Sequence, residues 1–355
     1  MVGMFVVLLL FMWTLYKGPV SVPYLKPYII QALNYDESDY SVGLGNVNLE
    51  LVRSIQPLRI TAEDINLKKK DGNFSISAPK LYLSFSLRAL LKGIIAPSDV
   101  SIENPTVYIF ADYGVEKENI NEVNKRKLTF YVEKLKEFLN NYNSEEKIYP
   151  ESYVNNITIK GAEVEFHEVN LGRKWMLSDL NFEFSRNLVN LELNADALVN
   201  LNEQIASVGF ESEYHATNDK LDLEVYFSDL ILSDILKGLD SKNVGDTPLS
   251  ALNIDVPVNG KIDTIVNLSE ILQHPENAAA YLSDALQKIN FELDGGHGYI
   301  AFDKDEKYNY EIDEVMLTGE LSGGFDELKI NNADFKMGGQ TAKISFQANG
   351  LENYY

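Results

Sequence analysis

The sequence predicts a mainly β protein of antiparallel strands, and three observations predict it. From Tyr40 onward, apolar and polar residues alternate with a period of two through most of the chain. That alternation gives each strand one apolar face and one wet face. The alternating runs are short and are separated by Gly, Asn, Asp or Ser, the spacing of antiparallel meanders. Helical spacing surfaces in only a few brief stretches.

The first element is an exception to the β pattern. MVGMFVVLLLFMWTLY carries no charge, and Lys17-Gly18-Pro19 then ends it. As a helix it would span roughly 24 Å against a hydrocarbon core of roughly 30 Å. It has neither the basic start nor the small-x-small site of a cleavable signal peptide. We read residues 1–17 as a membrane anchor, with Phe5, Leu8, Leu9, Leu10 and Phe11 in the apolar layer. Trp13 and Tyr16, beside Lys17, form an interfacial belt. The missing basic flank leads us to expect that the start shown is truncated.

Next, VPYLKPYIIQALN places Leu25, Ile29, Ile30 and Leu33 at helical spacing, and Pro23 and Pro27 limit it to a turn or two. LRITAEDINLKKKDGNFSISAPKLYLSFS holds two alternating runs around the hairpin signal Lys70-Asp71-Gly72-Asn73. In KLYLSFSLRALLKGIIAPSDVSIENPTVYIF, Leu81, Leu83, Phe85 and Leu87 fall on one side and Tyr82, Ser84 and Ser86 on the other. A short apolar knot, LRALLKG, follows, and then a second run through Ile102, Val107 and Ile109.

Leu128, Val132, Leu135, Phe138 and Leu139 predict an amphipathic helix over about 121–141, which packs across a sheet end or, less simply, binds a partner. EEKIYPE reads as a linker. Strands resume at Tyr153, with Ile157, Ile159, Val164 and Phe166 in one run and Phe182 and Phe184 in another. LILSDILKGL and HPENAAAYLSDALQKIN read as helices, the second opened by Pro275. TAEDINLK, MLSDLNFEFS, YFSDLIL and YEIDEVMLTGEL each set an acidic residue or Ser-Asp just before an alternating run, a weak internal echo of similar hairpin units. The predicted divisions are 1–17, an anchor; 18–110, a first β module; 111–150, a helical insertion and linker; and 151–355, continued β units with short helices.

Composition narrows the function. Apolar residues make up 45% and charged residues 24%, as in a folded chain. A net charge of −22 argues against nucleic acid as a partner and against broad adhesion to anionic headgroups. With no cysteine, disulfides, thiolate chemistry and Cys-containing zinc sites are excluded.

Motif chemistry is thin. The four histidines, His167, His215, His274 and His297, stand in separate segments without metal-ligand spacing. DGGHG at 294–298 joins two strands and reads as a hairpin turn rather than a phosphate cradle. The acidic 303–314 segment lacks the spacing of a calcium loop. No G-x-S-x-G elbow occurs. The expectation is a non-enzymatic protein without a cofactor or metal. Alternation alone leaves open what covers the apolar strand faces, a second protein layer or something else apolar.

The order of an apolar anchor, GPVSVPYLKPYIIQAL, LRITAEDINLKKKDG and LYLSFSLRALLKGIIAPSDVSIENPTVYIF resembles the amino-terminal part of the AsmA-like family of bacterial envelope proteins, in its YhdP-like branch. ITIKGAEVEFHEVNLGRKWMLSDLNFEFS is similar to that family's recurring unit, and GELSGGFDELKINNADFKMGGQTAKISFQANG to its strand-rich repeats. The 128–139 helix departs from the pattern as an insertion. The end at Tyr355, where members of the branch continue, leads to the expectation of a fragment or a shortened member.

The resemblance implies a long curved antiparallel sheet forming an open hydrophobic groove, anchored in the inner membrane with the bulk of the chain in the periplasm. It implies phospholipid as the bound partner and transport toward the outer membrane. The groove lining would be Leu81, Leu83, Phe85, Leu87, Ile102, Val107, Ile109, Ile157, Ile159, Val164, Phe166, Phe182 and Phe184. An envelope assembly factor or tether, aiding outer-membrane proteins through exposed sheet edges, is the alternative. Closed sandwiches of strand faces are the plainer reading of alternation by itself.

Overall fold

The computed structural model describes residues 13–33, 40–54, 56–111, 129–130, 132–133, 135–136, 150–168, 173–187, 190–201, 204–231, 253–278, 281, 285–301, 309–323 and 326–350. The chain is mainly β and divides into two compact units. Unit 1 takes Met1–Asp112, Asn141–Glu168 and Met176–Asn187; unit 2 takes Tyr113–Asn140, Val169–Trp175 and Leu188–Tyr355.

In unit 1 the strands are β1 (Val20–Ser21), β2 (Tyr40–Gly43), β3 (Val47–Leu51), β4 (Leu58–Lys69), β5 (Phe74–Phe85), β6 (Pro97–Glu103), β7 (Thr106–Ala111), β8 (Asn156–Glu168) and β9 (Arg173–Arg186, in this unit from Met176). β4 pairs antiparallel with β2, β3 and β5, and β5 pairs antiparallel with both β6 and β7. The β4–β5 turn is the one expected: the Asp71 carboxylate accepts from the Asn73 N–H at 2.9 Å and from Lys69 Nζ at 2.5 Å.

The expectation of a wholly antiparallel sheet is corrected at β8, which runs parallel to β6 and β7. A parallel pair needs a long crossover, and the stretch between Ala111 and Asn156, read from the sequence as an insertion, supplies it. The predicted 121–141 helix lies largely outside the described residues; 129–130, 132–133 and 135–136 are helical.

A row of left-handed residues crosses this sheet. Asp64, Asn104, Gly161 and Asp179 have φ between 47° and 63°. The register sets residue 64 opposite Pro79, Pro79 opposite Asn104, and Asn104 level with Gly161. Each such residue shifts the phase of side-chain alternation by one. Because neighbouring strands shift together, pairing continues and the apolar face is kept: Ile60 and Ala62 lead to Ile65 and Leu67, and Leu83 and Leu81 to Ala78 and Ile76. Asp64 and Asp179 belong to two of the echoed segments in the sequence. Asp229 of the third also has positive φ, so much of the echo is a backbone device.

Two short helices flank the strands of this unit, besides helical residues 13–17 and a 3-10 turn over Pro150–Tyr153. α1 (Lys26–Leu33) follows a 3-10 turn over Pro23–Leu25. α2 (Leu87–Leu91) begins at Ser86, whose hydroxyl accepts from the Ala89 N–H at 3.3 Å. Leu87 is therefore not a continuation of the β5 alternation, as the sequence suggested, because the Ser86 cap turns the chain into a helix one residue earlier. Its side chain is exposed.

Unit 2 is an antiparallel meander of β10 (Asn190–Leu201), β11 (Gln204–His215), β12 (Lys220–Ile231), β14 (Pro257–Asn267), β15 (Leu286–Gly295), β18 (Glu314–Ser322), β19 (Glu327–Met337) and β20 (Gln340–Asn349), each paired with the next. β13 (Asn253–Asp255), β16 (Gly298–Ala301) and β17 (Asn309–Ile312) form a separate three-stranded sheet. The β19–β20 link is Gly338-Gly339 with φ of +55° and +79°, both positive as a type I′ hairpin requires.

Two sequence expectations change here. Leu230 and Ile231, read as the start of a helix, end β12, and the rest of that segment lies outside the described residues. DGGHG joins strands, but β15 and β16 belong to different sheets, so it is a crossing link and not a hairpin. Around the second predicted helix, Ser269–Gln273 forms a short helix α3 and Pro275–Asn277 a 3-10 turn, with residues 278, 281 and 285 helical.

Candidate functional site

The apolar sheet faces are the largest organised feature that side-chain chemistry builds. In unit 1, cross-strand register produces four rows: Ile60, Leu83, Val100 and Ile157; Ala62, Leu81, Ile102 and Ile159; Leu67, Ile76, Val107 and Val164; and Phe74, Ile109 and Phe166. Nine of the residues read from the sequence, Leu81, Leu83, Ile102, Val107, Ile109, Ile157, Ile159, Val164 and Phe166, fall in these rows, and the phase shifts at Asn104 and Gly161 are what unite Ile102 with Val107 and Ile159 with Val164. Phe182 and Phe184 occupy alternate, half-buried positions of β9. β9 lies beside β8, where the Gly161 N–H donates to Asn181 Oδ1 at 3.1 Å.

Part of this face is covered by protein. Ile29 and Ile30 of α1 pack on the cluster of Leu44, Ala62, Ile65, Ala78 and Leu81. Leu25 and Ile29 pack on Val22, Val47 and Ile60, a cluster that Leu83 and Phe85 also join. Burying each such side chain stabilises the fold by roughly 1.5–3 kcal/mol, so Leu81 and Leu83 act here as core. Val107, Ile109, Ile157, Ile159, Val164 and Phe166 are half-buried.

The opposite face of unit 1 is polar. The Arg59 guanidinium lies 4.8 Å over the Tyr82 ring and donates to Glu50 Oε1 at 2.8 Å, which also accepts from the Thr61 hydroxyl at 2.6 Å. Partial burial pushes the Glu50 carboxyl up, but the Thr61 and Arg59 hydrogen bonds outweigh it and hold it below the usual range. Burial, and then the Glu103 carboxylate that accepts from its hydroxyl at 3.2 Å, push the Tyr82 phenol up.

Unit 2 carries a longer apolar face that the sequence reading did not assign. One row runs through Ala195, Phe210, Val225, Ile262, Phe291, Gly319, Ile330 and Phe346, one residue from each strand of the meander. The next row, Ala197, Val208, Phe227, Gly260, Leu293, Leu317, Ala333 and Ile344, is nearly as apolar. Phe210, Val225, Ile262 and Phe291 are half-buried, and Ile344 and Phe346 are each 49% exposed. The small sheet closes one end: Ile312 and Ile300 pack with Val256, Val258, Leu293 and Val315.

Aromatic rings lie on glycines within these sheets. A Cβ on Gly260 would stand 2.5 Å from Phe227 Cζ, one on Gly319 2.5 Å from Phe291 Cζ, and one on Gly209 2.1 Å from the Tyr226 ring. Glycine makes room for each ring against the neighbouring strand. Alternating apolar positions between 190 and 349 were the available signal for this face; the assignment of pairs was not.

The polar face of unit 2 is acidic. Glu192, Glu211, Glu213, Asp222, Glu224 and Asp263 line a shallow concavity with Lys261, which pairs with Glu224 at 2.7 Å. Burial, followed by the Glu211, Asp196 and Glu224 carboxylates, pushes the Tyr226 phenol up. Among the described residues no group of His, Asp and Glu is arranged to hold a metal ion.

Of the predicted anchor, Phe5, Leu8, Leu9, Leu10 and Phe11 lie outside the described residues. Residues 13–17 are helical, with Trp13 and Tyr16 exposed, Leu15 buried and Lys17 Nζ 5.4 Å over the Trp13 ring. Among the described residues no helix is long and apolar enough to cross a membrane. No family model, curated protein or solved structure matches the chain.

Proposed function

We propose that this is a non-enzymatic, membrane-anchored envelope protein whose apolar sheet faces bind phospholipid acyl chains, and that it takes part in lipid transport toward an outer membrane, as its resemblance to the AsmA-like family implies. The carrying observation is the unit 2 row from Ala195 to Phe346, apolar or glycine at every strand, half-buried from Phe210 to Phe291, buried at Ile330 and exposed again at Phe346. Each methylene sheltered there gains about 0.8 kcal/mol, so part of an acyl chain offsets its departure from a bilayer. Phe227 and Phe291, set over Gly260 and Gly319, offer broad contact without a tight pocket, which suits weak, repeated binding along a path.

Site-specific photo-crosslinking in cells tests this reading. A photoreactive residue replaces Val107, Phe166, Phe210 or Ile262, with Tyr82 and Ser84 as controls on the polar face. Phospholipid adducts at the first set and none at the controls are expected. Adducts only to other segments of the same chain would mean a closed protein core.

One observation favours the assembly-factor reading. β20 is 10 residues long, its described pairing is with β19, and its side chains are exposed almost throughout. Such an edge accepts an added strand. Crosslinks from β20 to another protein, with no lipid adducts on the faces, would favour it.

A further inference from the structure

Three pieces of unit 1 gather at one end of its sheet. Val20 pairs with Leu49, so the chain before it lies at the Leu51 end of β3. Leu51 pairs with Leu58, and β5, antiparallel to β4, finishes beside them at Phe85. The 13–17 helix, the loop carrying Arg53, and α2 with the segment after it therefore share this end.

What they present is both apolar and basic. Leu91 is 90% exposed, Ile95 74% and Leu87 41%. The residue α2 buries is Ala89, packed with Ala96 and Tyr153. A helix held by a core would turn its leucines inward and its alanine outward; α2 buries its alanine and leaves two of its three leucines, Leu87 and Leu91, exposed, with Leu90 half-buried. Exposed cations flank these side chains: Arg88 and Lys92 on and after α2, Arg53 on the neighbouring loop and Lys17 before β1. A net charge of −22 opposes broad adhesion to anionic lipid. Screening confines that effect to roughly 8–10 Å, and within that range of Leu91 its own neighbours in sequence are basic.

We infer that the α2 tip docks into the surface of an anionic bilayer, with Leu87, Leu91 and Ile95 at the acyl boundary and Arg88, Lys92 and Arg53 at phosphate level. Exposed leucines ringed by cations match that interface, where apolar burial and attraction to phosphate add. The inference rests on the membrane-anchored part of the proposed function and not on lipid binding along the sheets. Docking would hold the mouth of the unit 1 face against the membrane from which lipid leaves.

The chain has no cysteine, so one introduced cysteine labels one site. Leu91→Cys, Ile95→Cys and, at the opposite end of the sheet, Asp71→Cys would each carry an environment-sensitive fluorophore. Each full chain would be reconstituted into phosphatidylethanolamine–phosphatidylglycerol vesicles. The 91 and 95 probes should be quenched by shallow nitroxide lipids and be severalfold less open to aqueous iodide than the 71 probe. Adding Arg88→Glu and Lys92→Glu should reopen position 91 to iodide. Chains that float with vesicles while positions 91 and 95 stay as wet as 71 would overturn the docking and leave the anchor standing. Failure to float would overturn both, and lipid adducts on the sheet faces remain a separate readout. Protection of position 91 that comes with crosslinks to protein would overturn the docking as well.

Discussion

A Cβ on Gly161 would stand 2.6 Å from Oδ1 of Asn104, the left-handed residue level with it on the adjoining strand line. Asn104 and Gly161 are two members of the row that shifts the alternation of unit 1 while leaving pairing intact. The adjoining Gly161 N–H donates to Asn181, whose side-chain amide donates in turn to the Asp179 carbonyl at 3.0 Å. This row is thus a backbone feature built at Asn, Asp and Gly, the residues that tolerate left-handed φ.

Gly161→Ala should destabilise the protein by about 1–3 kcal/mol, because alanine at φ +63° is strained and its methyl meets Asn104. Asn104→Gly should cost much less, since it relieves rather than creates strain. Urea unfolding of both variants checks this. Equal losses would mean that the row depends on the Asn104 side chain and not on backbone conformation.

Much of the β content was legible because alternation and turn residues are local signals. Hairpin Lys70–Asn73 follows from them, whereas Ile102 with Val107 and Ile159 with Val164 stand an odd number of residues apart and share a face only through the left-handed Asn104 and Gly161. The parallel placement of β8 was not legible, since two parallel neighbours separated by some forty residues leave no local mark. Leu87 was misplaced because strand and helix overlap by one apolar residue at the Ser86 cap. The unit 2 face went unassigned because its rows depend on which strands pair, and the bulges at Thr264, Thr318 and Ile330 change register within strands.

Gly260→Ala should cost about 1–3 kcal/mol by driving its methyl into Phe227 and Leu293. All three nearest atoms belong to side chains, so Phe227→Leu should absorb part of the clash. A double-mutant cycle read by thermal unfolding should give a coupling of at least about 0.5 kcal/mol. Simple additivity would show that the ring does not rest on the glycine.

Glu50 links stability to pH. Its carboxyl is held below the ordinary value of 4.5, so its contribution is complete above that value and is lost as pH falls through the lower folded value. Glu50→Gln should lose about 1 kcal/mol near neutral pH, once the charge-assisted bonds to Arg59 and Thr61 are discounted for partial exposure. The gap from the parent should close in strong acid. A gap that widens on acidification would reverse the assigned sign.

The edge strand offers a test of self-association. Ile344 and Phe346 each stay 49% exposed on β20, so Ile344→Lys should change stability by no more than about 0.5 kcal/mol. It should lower concentration-dependent association, measured by sedimentation, because charge on an edge opposes strand addition. Unchanged association would mean that copies meet elsewhere.

A charge in the middle of the unit 2 face separates a lipid surface from a closed core. Ile262 sits between Val225 and Phe291 in the apolar row. Ile262→Glu in a sealed core would bury an unpaired carboxylate, costing several kcal/mol or forcing it neutral, and the chain would unfold or aggregate. On a face that only lipid covers, the carboxylate reaches water whenever the surface is empty. The expected outcome is a folded variant, melting within about 4 °C of the parent, that co-purifies with less phospholipid. Lys261→Glu, one residue away on the acidic face, should leave lipid recovery unchanged. The contrast depends on side and not on added negative charge, because both substitutions place a glutamate on the same strand. A folded Ile262→Glu chain that retains its full lipid complement would remove this row from the lipid path, and an unfolded one would assign it to the core.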